Sequence, residues 1–177
     1  MATAHRLFAE HGYAAVSADD IVSAAGLTRG ALHHHFGDKA GLFRAVFEQL
    51  DAELTTELNT ALTAAEDTLS GLAIGLGAFL DMCQRPEVLR IALTDAPTVL
   101  GWETWRAIEA EHGLGLIITL IEQAVAEGTV ITHPPEVLAH LVLSVTMEAA
   151  LLIANGTDRA VVEPALLTML SGLLSST

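Results

Sequence analysis

Cysteine is almost absent from this chain: Cys83 stands alone in 177 residues. One thiol makes no internal disulfide, and no Cys-based zinc pattern can be built on it. Positive charge is scarce as well, with 8 Lys and Arg against 22 Asp and Glu. A chain of net charge −14 does not attract polyanions over its whole surface. Long apolar runs are few. The charge-free stretch Thr68 to Leu80 is shorter than the roughly 20 residues a membrane span needs. The opening MATAHRLFAEHGY has no basic stretch leading into an apolar core, so no secretory signal is expected. No Ser-His-Asp order, phosphate-binding glycine loop or working pair of carboxylates stands out, so neither catalysis nor a cofactor is expected. Strict apolar–polar alternation, the mark of half-buried strands, is missing too.

What the chain does have is apolar surface. Apolar residues make up 51% and charged ones only 17%, and the mean hydropathy is +0.47. Without a membrane segment, that composition predicts a cytoplasmic protein that buries apolar surface by forming oligomers. The charge is uneven. Residues 1–50 hold Arg6, Arg29, Lys39 and Arg44 against five acidic residues, while residues 51–177 hold four basic and 17 acidic residues. Five of the eight histidines also lie in the first 50 residues. Any contact with a polyanion must therefore use a small face of the N-terminal part.

Helical spacing dominates throughout. ATAHRLFAEH reads as a short helix closed by Gly12. Ser17 reads as an N-cap with Asp20 three residues on, and Asp19 and Asp20 fall in the first turn, where the helix dipole favours anions. That helix ends at Gly26. Thr28 caps a third, which stops near Phe36-Gly37, and Asp38 caps a long fourth. Further helices are expected over about 64–83, from Pro86, over about 104–127, from Pro135 to the Asn155-Gly156 stop, and over 159–174. The pair around Gly26 has the form of a helix-turn-helix, with Ile21, Ala25, Leu32 and Phe36 facing inward. On periodicity alone, a plain helical hairpin fits equally well.

The residues RLFAEHGYAAVSADDIVSAAGLTRGALHHHFGDKAGLFRAVFEQL resemble the DNA-binding domain of the TetR family of bacterial transcriptional regulators. The likeness covers residues 1–50 without a gap, through "LF-x-x-x-GY", "DDI-x-x-x-AG", "TRGAL", "HHF" and "DKAGLF". A softer likeness extends to RIALTDAPTVLGWETWR. The resemblance implies an all-α fold. A three-helix head, residues 1–45, carries the helix-turn-helix, and helix four joins it to an effector-binding and dimerisation domain, residues 46–177. It implies a homodimer that binds double-stranded operator DNA and is released by a small, largely apolar effector.

Position by position, Ser17 matches a capping hydroxyl that meets a phosphate. Thr28, Arg29, Gly30 and Ala31 begin the recognition helix, whose N-terminal end enters the major groove. Lys39 matches a lysine that holds a phosphate, and His34 and His35 match contact positions. His33 departs from the pattern, standing where tyrosine is usual, and Val22 replaces a usual alanine. The basic N-terminal arm of many relatives is not among these residues, which lowers the expected DNA affinity.

The run His33-His34-His35 raises the question of metal binding. Successive helical residues point about 100° apart, so three adjacent imidazoles cannot share one ion on a regular helix. One is expected to pack against the domain and the others to face the phosphates or the groove. In the C-terminal part, Phe79, Met82, Trp102, Trp105 and Met147 are candidate walls of an effector pocket, although large apolar side chains more often serve simply as packing. Glu148 sits inside an apolar helix and could pair across a dimer, meet an effector or face water. A competing class is a helical small-molecule-binding or enzyme-like dimer whose head does not read DNA. The scarcity of basic residues favours that class, and the intact recognition-helix pattern outweighs it.

Overall fold

The computed structural model describes residues 1–128 and 133–174. They form ten α-helices and one π-helical turn, with no strand among the described residues. The order is α1 (Ala2–His11), α2 (Ala18–Ala25), α3 (Arg29–Phe36), α4 (Lys39–Leu62), α5 (Thr68–Cys83), α6 (Pro86–Val88), a π-turn (Leu89–Asp95), α7 (Ala96–Leu100), α8 (Trp102–Ala126), α9 (Pro135–Ala154) and α10 (Arg159–Leu174). The chain forms two compact units. One is Met1–Glu53 with Arg85–Ile108, and the other is Leu54–Gln84 with Glu109–Thr177.

In the first unit, α1 packs on α2, on α6 and on the π-turn, and α2 packs on α3. Its core gathers Phe8, Val16, Ile21, Val22 and Leu32 with Leu42, Phe43, Val46 and Phe47. Phe8, Tyr13 and Phe43 form an aromatic group, with Tyr13 edge-on to Phe43 at 5.1 Å between centroids. Gly26 ends α2 in the left-handed region at φ 65°, which costs glycine little. Its N–H and that of Leu27 return to the carbonyls of Ser23 and Val22. Between α3 and α4 the chain turns so tightly that a Cβ on Gly41 would lie 2.0 Å from the Phe36 carbonyl oxygen. Only glycine fits there without moving backbone.

The helix expected from Pro86 is interrupted. Over Leu89–Asp95 the backbone widens by one residue per turn, so the Ala96 N–H returns to Ile91, five residues back. The Thr94 hydroxyl likewise donates to Leu89 O at 2.7 Å. Pro97 has no N–H to offer the carbonyl four residues before it, so a regular α-ladder would lose a bond here in any case.

In the second unit, α9 packs on α10 and α5, and α5 packs on α10. Ile121, Leu138 and Ala139 form a buried cluster with Leu114, Ile117 and Ile118 against it. α5 begins at Thr68 instead of near residue 64, because Asp67 and Ser70 form a reciprocal cap there. Arg159 at the start of α10 pairs with Asp81 of α5 and with Glu163, the latter at 2.7 Å. By length and composition α9 satisfies the requirements of a membrane span, a stretch the sequence reading passed over for the shorter Thr68–Leu80. Its buried Leu138, Leu143, Met147 and Ala150 give it the face of a core helix.

Candidate nucleic-acid interface

α2 and α3 start from side-chain caps. The Ser17 hydroxyl accepts the Asp20 N–H at 3.1 Å and donates to Asp20 Oδ2 at 2.6 Å. The same carboxylate accepts the Ser17 N–H at 2.8 Å. The Ser17 hydroxyl, and then its N–H, hold the Asp20 carboxyl below the usual aspartate range. Thr28 Oγ1 accepts the Ala31 N–H at 3.2 Å, which makes Arg29 the first residue of α3. These caps fix where the two helices begin and leave the first turn of α3 small apart from Arg29.

The outward side of α3 follows from helical spacing. Leu32 is buried and Phe36 half-buried. At about 100° per residue, Gly30 and His34 point away from Leu32, and His33 flanks them. All three histidines are exposed, so the expectation that one packs against the domain is corrected. The side of α3 that packs is supplied by Leu32 and Phe36, and no histidine is needed there. His34 and His35 meet edge-on at 5.1 Å between centroids, and His35 lies 6.2 Å from the Phe36 ring. Among the described residues, no three His, Cys, Asp or Glu side chains gather to hold a metal.

Each of the four cations of the first 50 residues is engaged within the protein. Arg6 donates to Glu10 at 3.0 Å and Arg44 to Glu48 at 2.7 Å. Arg29 donates from Nε and Nη2 to the two carboxylate oxygens of Asp19. Hydrogen bonding from Arg29 is the main reason the Asp19 carboxyl lies below its usual range. Lys39 Nζ donates to the carbonyls of Tyr13 at 3.0 Å and Val16 at 2.8 Å, and sits 3.8 Å from the centroid of the Tyr13 ring. The lysine matched to a phosphate contact thus closes the loop between α1 and α2 with two of its three hydrogens. The exposed pairs of Arg6 and Arg44 are worth little in water, so phosphates can compete for these two arginines.

The effector candidates fall in both units. Trp102 and Trp105 belong to the first, 4.9 Å apart between centroids. Trp105 is 1% exposed and its indole N–H meets no protein acceptor, whereas Trp102 is 65% exposed. Trp102 is therefore neither core nor an enclosing wall, because it opens α8 just after Gly101. Met82 and Met147 are buried in the second unit and Phe79 is half-buried. Glu148 is exposed on the single chain, on the same side of α9 as exposed Val137, Leu141 and Leu152.

Sequence reasoning missed three contributors. Asp19 was weighed only against the helix dipole, although it and Arg29 open two helices joined by a short turn. Tyr13 and Asp95 meet across most of the first unit's sequence span, and no local signal announces them.

The comparisons with known proteins agree with this geometry. A family model for "Bacterial regulatory proteins, tetR family" matches residues 1–46, and one for "Tetracyclin repressor-like, C-terminal domain" matches residues 69–177. The chain is 30% identical over 148 residues to the HTH-type transcriptional repressor AcnR of Corynebacterium efficiens, covering 82% of this chain and 74% of that one. It is 29% identical over 143 residues to the transposon Tn10 TetC protein of Escherichia coli, covering 78% and 70%. The crystal structure of a TetR-family transcriptional regulator from Pectobacterium atrosepticum superposes with a TM-score of 0.81 at 39% identity, over 99% of this chain and 92% of that one.

Proposed function

This chain belongs to the tetR family of bacterial regulatory proteins, which are DNA-binding transcriptional regulators, and from that premise we propose that it is a homodimeric repressor, released from its operator by a small apolar molecule. Residues 1–45 read DNA, and residues 46–177 bind the effector and the second subunit. The protein works in the cytoplasm, where its DNA is.

The observation that carries the reading is the outward face of α3. Gly30, His33 and His34 are exposed behind a capped first turn, while Leu32 anchors the opposite side. Gly30 and Ala31 are small enough to let the backbone approach a groove closely. Arg29 and this face meet base edges, whereas Thr28, His35, the third hydrogen of Lys39 and, once its hydroxyl turns from Asp20, Ser17 meet phosphates. Two heads then read half-sites roughly 34 Å apart or a multiple of it.

The second subunit covers α9 and α10. Exposed Val137, Leu141 and Leu152 on α9 and Val161 and Met169 on α10 suit an obligate interface, which typically buries about 2,000 Å² or more. The effector binds among Phe79, Met82 and Met147 of the second unit and acts by preferring a conformation that does not fit the operator. An effector with equal affinity for both conformations would release nothing.

Incubation of the full chain with a pool of random duplexes, followed by sequencing of the bound fraction, tests the reading. Enrichment of a two-fold symmetric site with half-sites one turn apart supports it. Binding without enrichment would remove DNA readout and leave a helical small-molecule-binding or enzyme-like dimer.

A further inference from the structure

We propose that Asp19 sets base preference through Arg29, by presenting one edge of the guanidinium to a guanine in each half-site. The inference rests on the DNA-reading role of α3.

A guanidinium has five N–H hydrogens in a fixed plane. The Asp19 carboxylate takes the side-on edge, with one oxygen on Nε and the other on Nη2. Both hydrogens of Nη1 and one of Nη2 remain. Two of these, one on each nitrogen, form the end-on edge, whose parallel donors match the O6 and N7 acceptors of guanine in the major groove. The pairing therefore occupies one two-donor edge of the guanidinium and leaves the end-on edge as the one free to meet a base in a bidentate way.

Asp19 is free for this task because the cap of α2 does not need it. Asp20 alone serves Ser17. Asp19 stands in the first turn of α2, where the helix dipole favours its charge, and Arg29 begins α3 ten residues later. Both backbones are fixed by caps, so the pair holds a long side chain in one orientation before DNA arrives. An unrestrained arginine would lose rotamer freedom on binding, and one already held loses less. His33 lies one turn further along α3, on the side of Arg29.

The opposing account is that Asp19 only competes with DNA for Arg29. The two accounts predict different results for Asp19→Asn, which keeps the size of the side chain and removes its charge. A competitor, once neutralised, raises affinity for all duplexes alike and leaves the sequence preference unchanged. A positioning residue, once neutralised, lowers the preference for guanine at one position of each half-site, by roughly five- to a hundred-fold.

The experiment sequences the duplexes retained from a random pool by the wild-type full chain, Asp19→Asn, Arg29→Ala and the double variant, with circular dichroism confirming that each is folded. The expected result is a wild-type site containing a guanine whose preference falls in both single variants, and falls no further in the double variant. An unchanged guanine preference in Asp19→Asn, additive losses in the double variant, or a wild-type site with no guanine sensitive to Arg29 would each overturn the inference while leaving DNA reading intact. No enriched site with the wild type would overturn the DNA reading itself, and this inference with it.

Discussion

The backbone N–H of Tyr13 donates to Asp95 Oδ2 at 2.7 Å, tying the loop after the first helix to a side chain 82 residues away. A Cβ on Gly12, next door, would lie 3.3 Å from Arg90 Nη1 and 3.4 Å from the same Asp95 oxygen. The start of the helix-turn-helix is therefore held by the π-turn as well as by its own helices. Removing the carboxylate leaves a half-buried N–H without its acceptor. Asp95→Ala should cost about 1–3 kcal/mol of stability, read as a lower midpoint in urea. Asp95→Asn keeps an acceptor and should cost less.

Lys39 is expected to affect folding as well as binding. Two of its hydrogens close the Tyr13 and Val16 carbonyls, and its charge lies against the Tyr13 ring. Lys39→Ala should lower stability by about 1–2 kcal/mol and weaken all duplexes alike. Thermal melts and a salt series on one selected and one random duplex measure the two effects separately. A normal melt with weaker binding would assign Lys39 to phosphate alone.

At lower pH the cap of the second helix weakens, because the Asp20 carboxylate that accepts the Ser17 hydroxyl and N–H is neutralised, while the Asp20 N–H stays on the Ser17 hydroxyl. The Asp20 carboxyl lies below its usual range because of the Ser17 hydroxyl and N–H. Its contribution to stability is therefore complete above the unfolded value of about 3.9 and is lost as pH falls through the lower folded value. The unfolding midpoint of the wild type should drop between about pH 4 and the acid limit, and Asp20→Ala should flatten part of that drop.

Two leucines separate dimerisation from folding. Leu141 is 57% exposed on α9, and Leu166 is 6% exposed on α10. Leu141→Glu should give folded monomers, visible in sedimentation with a normal helical spectrum. Leu166→Glu should unfold the chain, because it places a charge in the core of its own unit.

That difference shows what was legible in the sequence. Caps and turns are local, so Ser17 with Asp20, Thr28, Gly26 and Asp38 could be read from spacing alone. The family likeness rested on the same short-range features. Side-chain direction on a helix that is apolar nearly all round is not local. In α10 the stripe facing α5 and α9 and the stripe facing outward have similar composition, so only the packed neighbours distinguish Leu166 from Met169. Trp102 posed the same problem, since its size suggested burial and its place at a helix start gave it exposure. The Asp19–Arg29 pair lay within reach of sequence reasoning, but the Asp95–Tyr13 bond did not.

The π-turn has a consequence for descent. Between Pro86 and Leu100 the chain carries one residue more than an unbroken α-helix would need, and Asp95 sits at the end of that surplus. Deleting any one residue of Leu89–Asp95 would restore the common helix and swing the downstream side chains by about 100°, carrying Asp95 away from Tyr13. Insertions usually survive in loops, where neighbours tolerate a change in length. Here the extra residue lies within a helical run, and the bond to Tyr13 holds only while it stays. Alignments with relatives that lack the wide turn should place a one-residue gap here, and in those relatives the fastening of the first loop must come from a different side chain.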